Sequence, residues 1–186
     1  MSGLWFAEAE TLEHFSAMSL IHALGWRTTY TDAVPADFMA EHITDDRWIS
    51  FFQDGYTSGA CKGILLYNDG IPVCCASYGP ARIGPSAQGG ASCEFHSEQY
   101  KDWGEIISFY THPHHKGRGY GSMLMKEVLH RLKTAGFSRC YVLVLRENTG
   151  ARKFYERCGF LWDGTHETIP FPHNTICVDL RYIRIL

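Results

Sequence analysis

His114-His115-Lys116-Gly117-Arg118-Gly119-Tyr120-Gly121-Ser122 joins an apolar, strand-like run, Ile106-Ile107-Ser108-Phe109-Tyr110, to an amphipathic helical pattern. Glycines at alternate positions let the backbone approach a ligand closely and adopt torsions that a side chain forbids. The helix that follows leaves its first N–H groups without helical acceptors and its positive dipole end exposed. Strand, glycine-rich turn and helix N-terminus together make an anion site, most often for phosphate or pyrophosphate. The stretch therefore predicts an α/β unit that binds a nucleotide-like cofactor.

Two common phosphate loops fit poorly. A Walker-type loop needs Gly-Lys followed by Ser or Thr; here Lys116 precedes the glycines. The dinucleotide fingerprint needs a glycine or alanine where Ser122 stands and an acidic residue about twenty positions on. Neither condition is met.

A third pattern fits. Lys116-x-x-Gly119-x-Gly121 resembles the acyl-CoA pyrophosphate loop of the GNAT superfamily of N-acetyltransferases, with Lys116 in place of the usual Arg or Gln. Asn148-Thr149-Gly150-Ala151-Arg152-Lys153-Phe154-Tyr155-Glu156-Arg157-Cys158-Gly159-Phe160 is similar to the C-terminal signature of the same superfamily, one helix and one strand downstream. Gly25-Trp26-Arg27-Thr28-Thr29-Tyr30 with Val34-Pro35 is similar to a helix 1 to helix 2 segment of many members. The resemblance spans nearly the whole chain; it is specific over 105–160 and loose before 80.

The resemblance implies direct transfer of an acetyl group from acetyl-CoA to a primary amine of a small molecule or peptide. A protonated amine cannot attack, so a base or a water relay removes its proton, and a nearby acid helps the thiolate leave. Glu105 stands where some members carry the general base; a solvated, edge-facing glutamate is the plainer reading. Tyr155 matches the common general acid, or is a core aromatic at helical spacing. Main-chain groups of Phe109, Tyr110 and Thr111 are expected to bind pantetheine in strand fashion, and Gly117, Gly119, Tyr120, Gly121 and Ser122 to offer amides to the pyrophosphate. Lys116 supplies a charge there. Arg118 adds a second, or is a solvated loop cation. Asn148 contacts the pantetheine arm or caps its helix. The same loop without turnover would be a non-catalytic acyl-CoA-binding sensor or regulatory module. Members of the superfamily often form homodimers through terminal strands, and the sequence does not decide this.

Composition bounds these readings. The chain has 186 residues, 45% hydrophobic and 20% charged, ordinary for one soluble globular domain. A net charge of −3 argues against a broad nucleic-acid surface. No apolar run approaches the roughly 18 residues of a membrane span, and Met1–Glu8 lacks the pattern of a signal peptide. Seven cysteines, several in apolar runs, suit reduced thiols in the cytoplasm. There is no Cys-x-x-Cys, and His112, His114 and His115 lack accompanying ligands, so no metal is expected. Cys158 has no positioned base and is read as packing.

The expected elements are a strand at 4–8, a helix over 11–30, a second helix over 37–52 and a hairpin over 64–78 turning at Asp69-Gly70. A strand at 104–111, a helix over 120–135, a strand at 140–145, a helix ending near Cys158 and strands at 160–168 and 175–185 follow. Their order gives a single α/β domain. Its sheet is mixed and mostly antiparallel, of six to seven strands, with helices on both faces. Residues 79–102, rich in Gly-Pro and Gly-Gly, are an insertion relative to the family pattern, covering the acceptor side or forming a surface loop. Asp32, Asp37, Asp45 and Asp46 favour a cationic acceptor or are solvated charges. Trp26, Tyr30, Trp162 and Phe171 line its pocket or pack the core.

Overall fold

In the computed structural model, which describes residues 3–82 and 98–186, the chain starts with β1 (Leu4–Glu8), α1 (Leu12–Thr29), α2 (Ala36–His42) and α3 (Ile49–Ser58). The hairpin β2 (Lys62–Asn68) and β3 (Ile71–Pro80) comes next, then β4 (Gly104–Thr111), α4 (Tyr120–Thr134) and β5 (Arg139–Leu145). α5 (Thr149–Arg157), β6 (Leu161–Phe171) and β7 (Thr175–Ile185) complete it. The seven strands make one sheet in the order β1-β2-β3-β4-β5-β7-β6. β4 and β5 run parallel, and the other neighbouring pairs are antiparallel. This is the mixed α/β architecture that the order of elements predicts.

Strand alternation feeds two cores. Ile64 and Leu66 of β2 and Cys74 and Ala76 of β3 face α4 and α5, where Leu124, Met125, Val128, Leu132 and Tyr155 are buried. Leu65, Tyr67 and Cys75 face the other way, toward Phe15, Met18 and Ile21 of α1. Local signals set the ends of the elements. Asp69 and Gly70 take φ of 51° and 82° at the β2–β3 turn, the positive values a tight hairpin requires. Thr11 caps α1 by accepting from His14 N–H, and Asn148 caps α5 by accepting from Ala151 N–H at 3.0 Å.

One expected helix is two. The pattern over 37–52 divides because Ile43 leaves helical torsions at φ −100°, ψ 68°. Thr44 Oγ1 then donates to Asp46 Oδ1 at 2.6 Å, and buried Trp48 is tied to α1 through its N–H to Ser19 Oγ at 3.0 Å. Hydroxyl and carboxylate side chains that bond nearby groups compete with helix continuation, and the break lets Trp48 turn inward. Leu12 shares the helical spacing of Phe15 but is 64% exposed in the first turn of α1. Of the 79–102 insertion, β3 takes the residues to Pro80, and Ala81 N–H donates to Trp103 O at 2.8 Å. The expectation that it covers the acceptor side falls on 83–97, outside the described residues.

Gly25 sits in the interior of α1, where glycine costs about 1 kcal/mol relative to alanine. A Cβ there would run into the Tyr110 ring, with Cε1 at 2.9 Å. The ring cannot retreat freely, since His22 stacks on it at 4.1 Å and Trp48 stacks on His22 at 3.9 Å. Gly25→Ala is therefore expected to lose about 1 kcal/mol net, overpacking outweighing the gain in helix propensity. Calorimetry should show a Tm lower by about 2–4 °C. A higher Tm would mean that the Tyr110 ring moves aside without cost.

A candidate active site between diverging strands

The parallel pairing of β4 with β5 covers Gly104 with Cys140, Glu105 with Tyr141 and Ile106 with Val142, and then stops. At the same point β4 carries a bulge: Ser77 faces Ser108 while Tyr78 faces Ile106, so Ile107 is an extra residue. A bulge bends its strand and ends regular pairing. Beyond it the strands part, and a cleft of about 490 Å³ opens between Ile107–Thr111 on one side and Val142–Val144 on the other. Backbone N–H and C=O groups on these facing edges have lost their ladder partners and must be met by solvent or ligand. Phe109, Tyr110 and Thr111 all line it.

The glycine turn closes one end. Gly117 and Gly119 adopt φ of 77° and 84°, and open space lies where their side chains would be. Gly119 is the N-cap of α4 and brings no side-chain cap, and the first bond of the helix runs from Met123 N–H to Gly119 O. Amides of Tyr120, Gly121 and Ser122 are thus left without helical acceptors at the positive dipole end. Lys116, Gly117, Gly119, Tyr120, Gly121 and Ser122 line the cleft. Arg118 is exposed and stands outside the lining.

Besides Tyr120 at the glycine turn, three tyrosines line the cleft from different elements. Tyr155 of α5 is 5% exposed and packs on Phe154, Phe160 and Tyr182. Burial pushes its hydroxyl well above the usual phenol range. Tyr30, just after α1, and Tyr110 of β4 bring their hydroxyls to 3.5 Å from each other, and burial raises both. Gly25 and Thr29 line the wall beside Tyr30, and Asn148 the rim of α5. His22, beneath Tyr110, is lowered to about 3 by burial and then by Arg47, so it is a neutral stacking partner.

Glu105 lies elsewhere. It is 1% exposed, which excludes the solvated, edge-facing alternative. Arg82 clamps it: the Arg82 amide and Nε reach Oε2 at 3.0 Å, and Nη2 reaches Oε1 at 2.5 Å. Its place is at the paired start of β4, outside the cleft lining. Nothing in the sequence joined Arg82 to it, because Arg82 lies two residues past the end of β3 and meets Glu105 of β4 only in the folded chain.

Most other candidates are accounted for locally. Asp37 pairs with His173 at 2.6 Å, Asp45 with Arg27 and Asp46 with Thr44, all at exposed positions. Asp32 is exposed as well. Trp162 is 51% exposed, its Nε1–H donating to Thr165 O. Phe171 packs on Phe38, and Trp26 on Tyr30 and Trp48. His112 Nδ1 accepts from His114 N–H. Among the described residues no group of three His, Cys, Asp or Glu could hold a metal ion. The six described cysteines are free, and burial raises Cys158. Among the described residues no helix is long and apolar enough to cross a membrane.

A strand-derived cleft ending on a glycine turn and a helix N-terminus defines a class of acyl-transfer fold, and the comparisons agree. Residues 26–160 match the model of the Acetyltransferase (GNAT) family, and the chain belongs to that family. It is 27% identical over 139 residues to the uncharacterized N-acetyltransferase YuaI of Bacillus subtilis, covering 74% of this chain and 69% of that protein. In three dimensions it is similar to an N-acetyltransferase from Staphylococcus aureus Mu50, with a TM-score of 0.73, 17% identity and 99% of each chain covered. It also matches the PaiA N-acetyltransferase of Thermoplasma acidophilum, solved in complex with coenzyme A, with a TM-score of 0.69, 15% identity and 100% of both chains covered.

Proposed function

We propose that the protein transfers the acetyl group of acetyl-CoA directly to a primary amine of a small molecule or peptide. The observation that carries this reading is the parting of β4 and β5 at the Ile107 bulge, which opens a cleft lined by the glycine turn at one end and by Tyr155. The residues fit the cofactor part by part. Open strand edges at Phe109–Thr111 suit the amides of a pantetheine arm. Amides from Gly117 to Ser122 suit a pyrophosphate, with Lys116 beside them. Acetyl-CoA supplies the acyl group as an activated thioester. A β4 amide facing the cleft would stabilise the charge that develops on the acyl oxygen. Tyr155, held protonated by burial, is suited to deliver a proton to the departing thiolate. The relatives' names support an amine as acceptor.

Thermal melting with acetyl-CoA, CoA, ATP, NAD and no ligand tests the reading. A ligand bound only by the folded state, at a hundredfold excess over its Kd, adds about 2.7 kcal/mol, which at this size is a rise in Tm of roughly 5–10 °C. The expected result is a rise with acetyl-CoA and CoA and none with NAD. A folded sample whose melt ignores both thioester and thiol would sink the proposal.

A further inference from the structure

A cofactor held by the glycine turn and the β4 edge leaves one wall of the cleft unassigned. That wall is built by Gly25, Thr29 and Tyr30 from the end of α1, with Tyr110 of β4. Several polar groups elsewhere in the cleft are engaged within the protein. Ser108 Oγ meets Ser77 Oγ at 2.7 Å, Thr111 Oγ1 meets Cys74 Sγ at 3.2 Å, and Asn148 Oδ1 accepts from Ala151 N–H. The hydroxyls of Tyr30 and Tyr110 are not spent in this way. They stand 3.5 Å apart, whereas a good O–H···O bond centres on about 2.7–2.8 Å. Asn148 faces Tyr30 and the Trp26 indole faces Tyr110, and each phenol oxygen retains capacity to accept. A nitrogen about 2.9 Å from both oxygens closes a triangle on the pair.

Both rings are held. Gly25 leaves the room in which the Tyr110 ring lies against α1. That ring stacks on His22 at 4.1 Å, and His22 stacks on Trp48. Trp26 meets Tyr30 edge-on at 5.0 Å, and the Tyr30 carbonyl accepts from the Ala33 and Val34 amides at 3.1 and 2.9 Å. Oxygens fixed before anything binds lower the cost of positioning a reactant. Among the described residues that line the cleft, the charged ones are the cations Lys116 and Arg157, at the glycine turn and on α5, and none is a carboxylate. The wall at α1 is ring and hydroxyl.

We propose that the Tyr30 and Tyr110 hydroxyls together seat the acceptor nitrogen, one N–H to each, and that the acceptor is a primary amine on an uncharged, apolar skeleton. The inference rests on the acetyltransferase reading above. An amine ready to attack has two N–H donors and one lone pair. Two oxygens at this spacing hold both donors and leave the lone pair free for the thioester carbon. The aromatic wall then takes the apolar skeleton that follows the amine. A carboxylate beside the amine would lose its water against that wall without gaining a cation, which is costly.

The test follows CoA release from acetyl-CoA with two acceptors, phenethylamine and phenylalanine, which differ by the carboxylate beside the amine. The wild-type protein should use phenethylamine with a kcat/KM at least about 10²-fold higher. This comparison needs no variant, so it decides even where a substitution unfolds the protein. Tyr30→Phe and Tyr110→Phe keep the rings, and each should raise KM for phenethylamine by about three- to tenfold. CoA affinity by isothermal titration should be unchanged in both, whereas a packing role alone would lower Tm and leave KM in place. Four results overturn the inference: phenylalanine used as well as phenethylamine, no turnover of phenethylamine by a protein that binds acetyl-CoA, an unchanged KM in both variants, or KM and CoA affinity weakening together. A wild-type protein whose melt ignores acetyl-CoA overturns the underlying acetyltransferase reading instead.

Discussion

Gly119→Glu is expected to abolish CoA binding while leaving the protein folded. Gly119 has φ of 84°, and no atom lies within 4 Å of where its Cβ would be, so the new side chain meets no wall of the protein. The backbone cost is that of a non-glycine residue in the left-handed region, about 1–2 kcal/mol. The larger effect falls on the ligand. A carboxylate at the N-terminus of α4 occupies the place that amides and dipole prepare for phosphate. At about 4 Å in a surface environment, two like charges repel by roughly 4 kcal/mol. The backbone cost is shared by the free and bound protein and falls on stability; the repulsion of about 4 kcal/mol is a weakening of CoA binding by roughly 10³-fold, since each 1.4 kcal/mol is tenfold. Gly119→Ala carries only the backbone cost, about 1–2 kcal/mol of stability, and should leave CoA affinity nearly unchanged. Isothermal titration with CoA gives the affinities, and melting without ligand confirms that both variants fold. A folded Gly119→Glu protein with normal CoA affinity would remove the loop from the site altogether.

The readability of this loop follows from local causes. Glycine torsions, the strand before and the helix after are set within about fifteen residues, so Lys116–Ser122 could be read directly. The same holds for Asn148, whose side chain satisfies an amide three residues on, and for the Asp69-Gly70 turn. What stayed hidden was set by distant neighbours. The division of the 37–52 helix depends on Trp48 reaching Ser19 of α1. Glu105 reads as a free carboxylate until the segment after β3 brings Arg82 beside it. The alternation Val178, Leu180, Tyr182 is legible in the sequence and gives the core face of β7. Which groups meet the opposite face could not be read, because Ala33 and Asp163, the partners of Cys177 and Arg181 there, come from the chain after α1 and from β6. Patterns give the face of an element; charge environment belongs to the tertiary fold.

Tyr155→Phe should separate binding from chemistry. The substitution removes one oxygen and keeps the ring that packs on Phe154, Phe160 and Tyr182. No hydrogen bond to the hydroxyl is present among the described residues, so its loss strands no buried partner. Stability should change by less than about 1 kcal/mol, and CoA affinity should stay within about twofold. The rate is another matter. In the cleft a departing thiolate needs a proton, and a phenol is a suitable source only if it still holds one. Burial, with Tyr30, Cys158, Cys74 and Asp179 contributing in the same direction, pushes Tyr155 above the ordinary phenol value of 10.0. A raised acid stays protonated as pH climbs, so Tyr155 should impose no loss of activity through the alkaline range in which a free tyrosine ionises. Losing this donor is expected to lower kcat by about 10²–10⁴-fold at unchanged CoA affinity. Single-turnover acetyl transfer, measured alongside CoA titration, reads both quantities. Equal rates for wild type and Tyr155→Phe would place the proton source in solvent and reduce Tyr155 to a packing residue; a parallel loss of rate and CoA affinity would mean that its hydroxyl positions the cofactor.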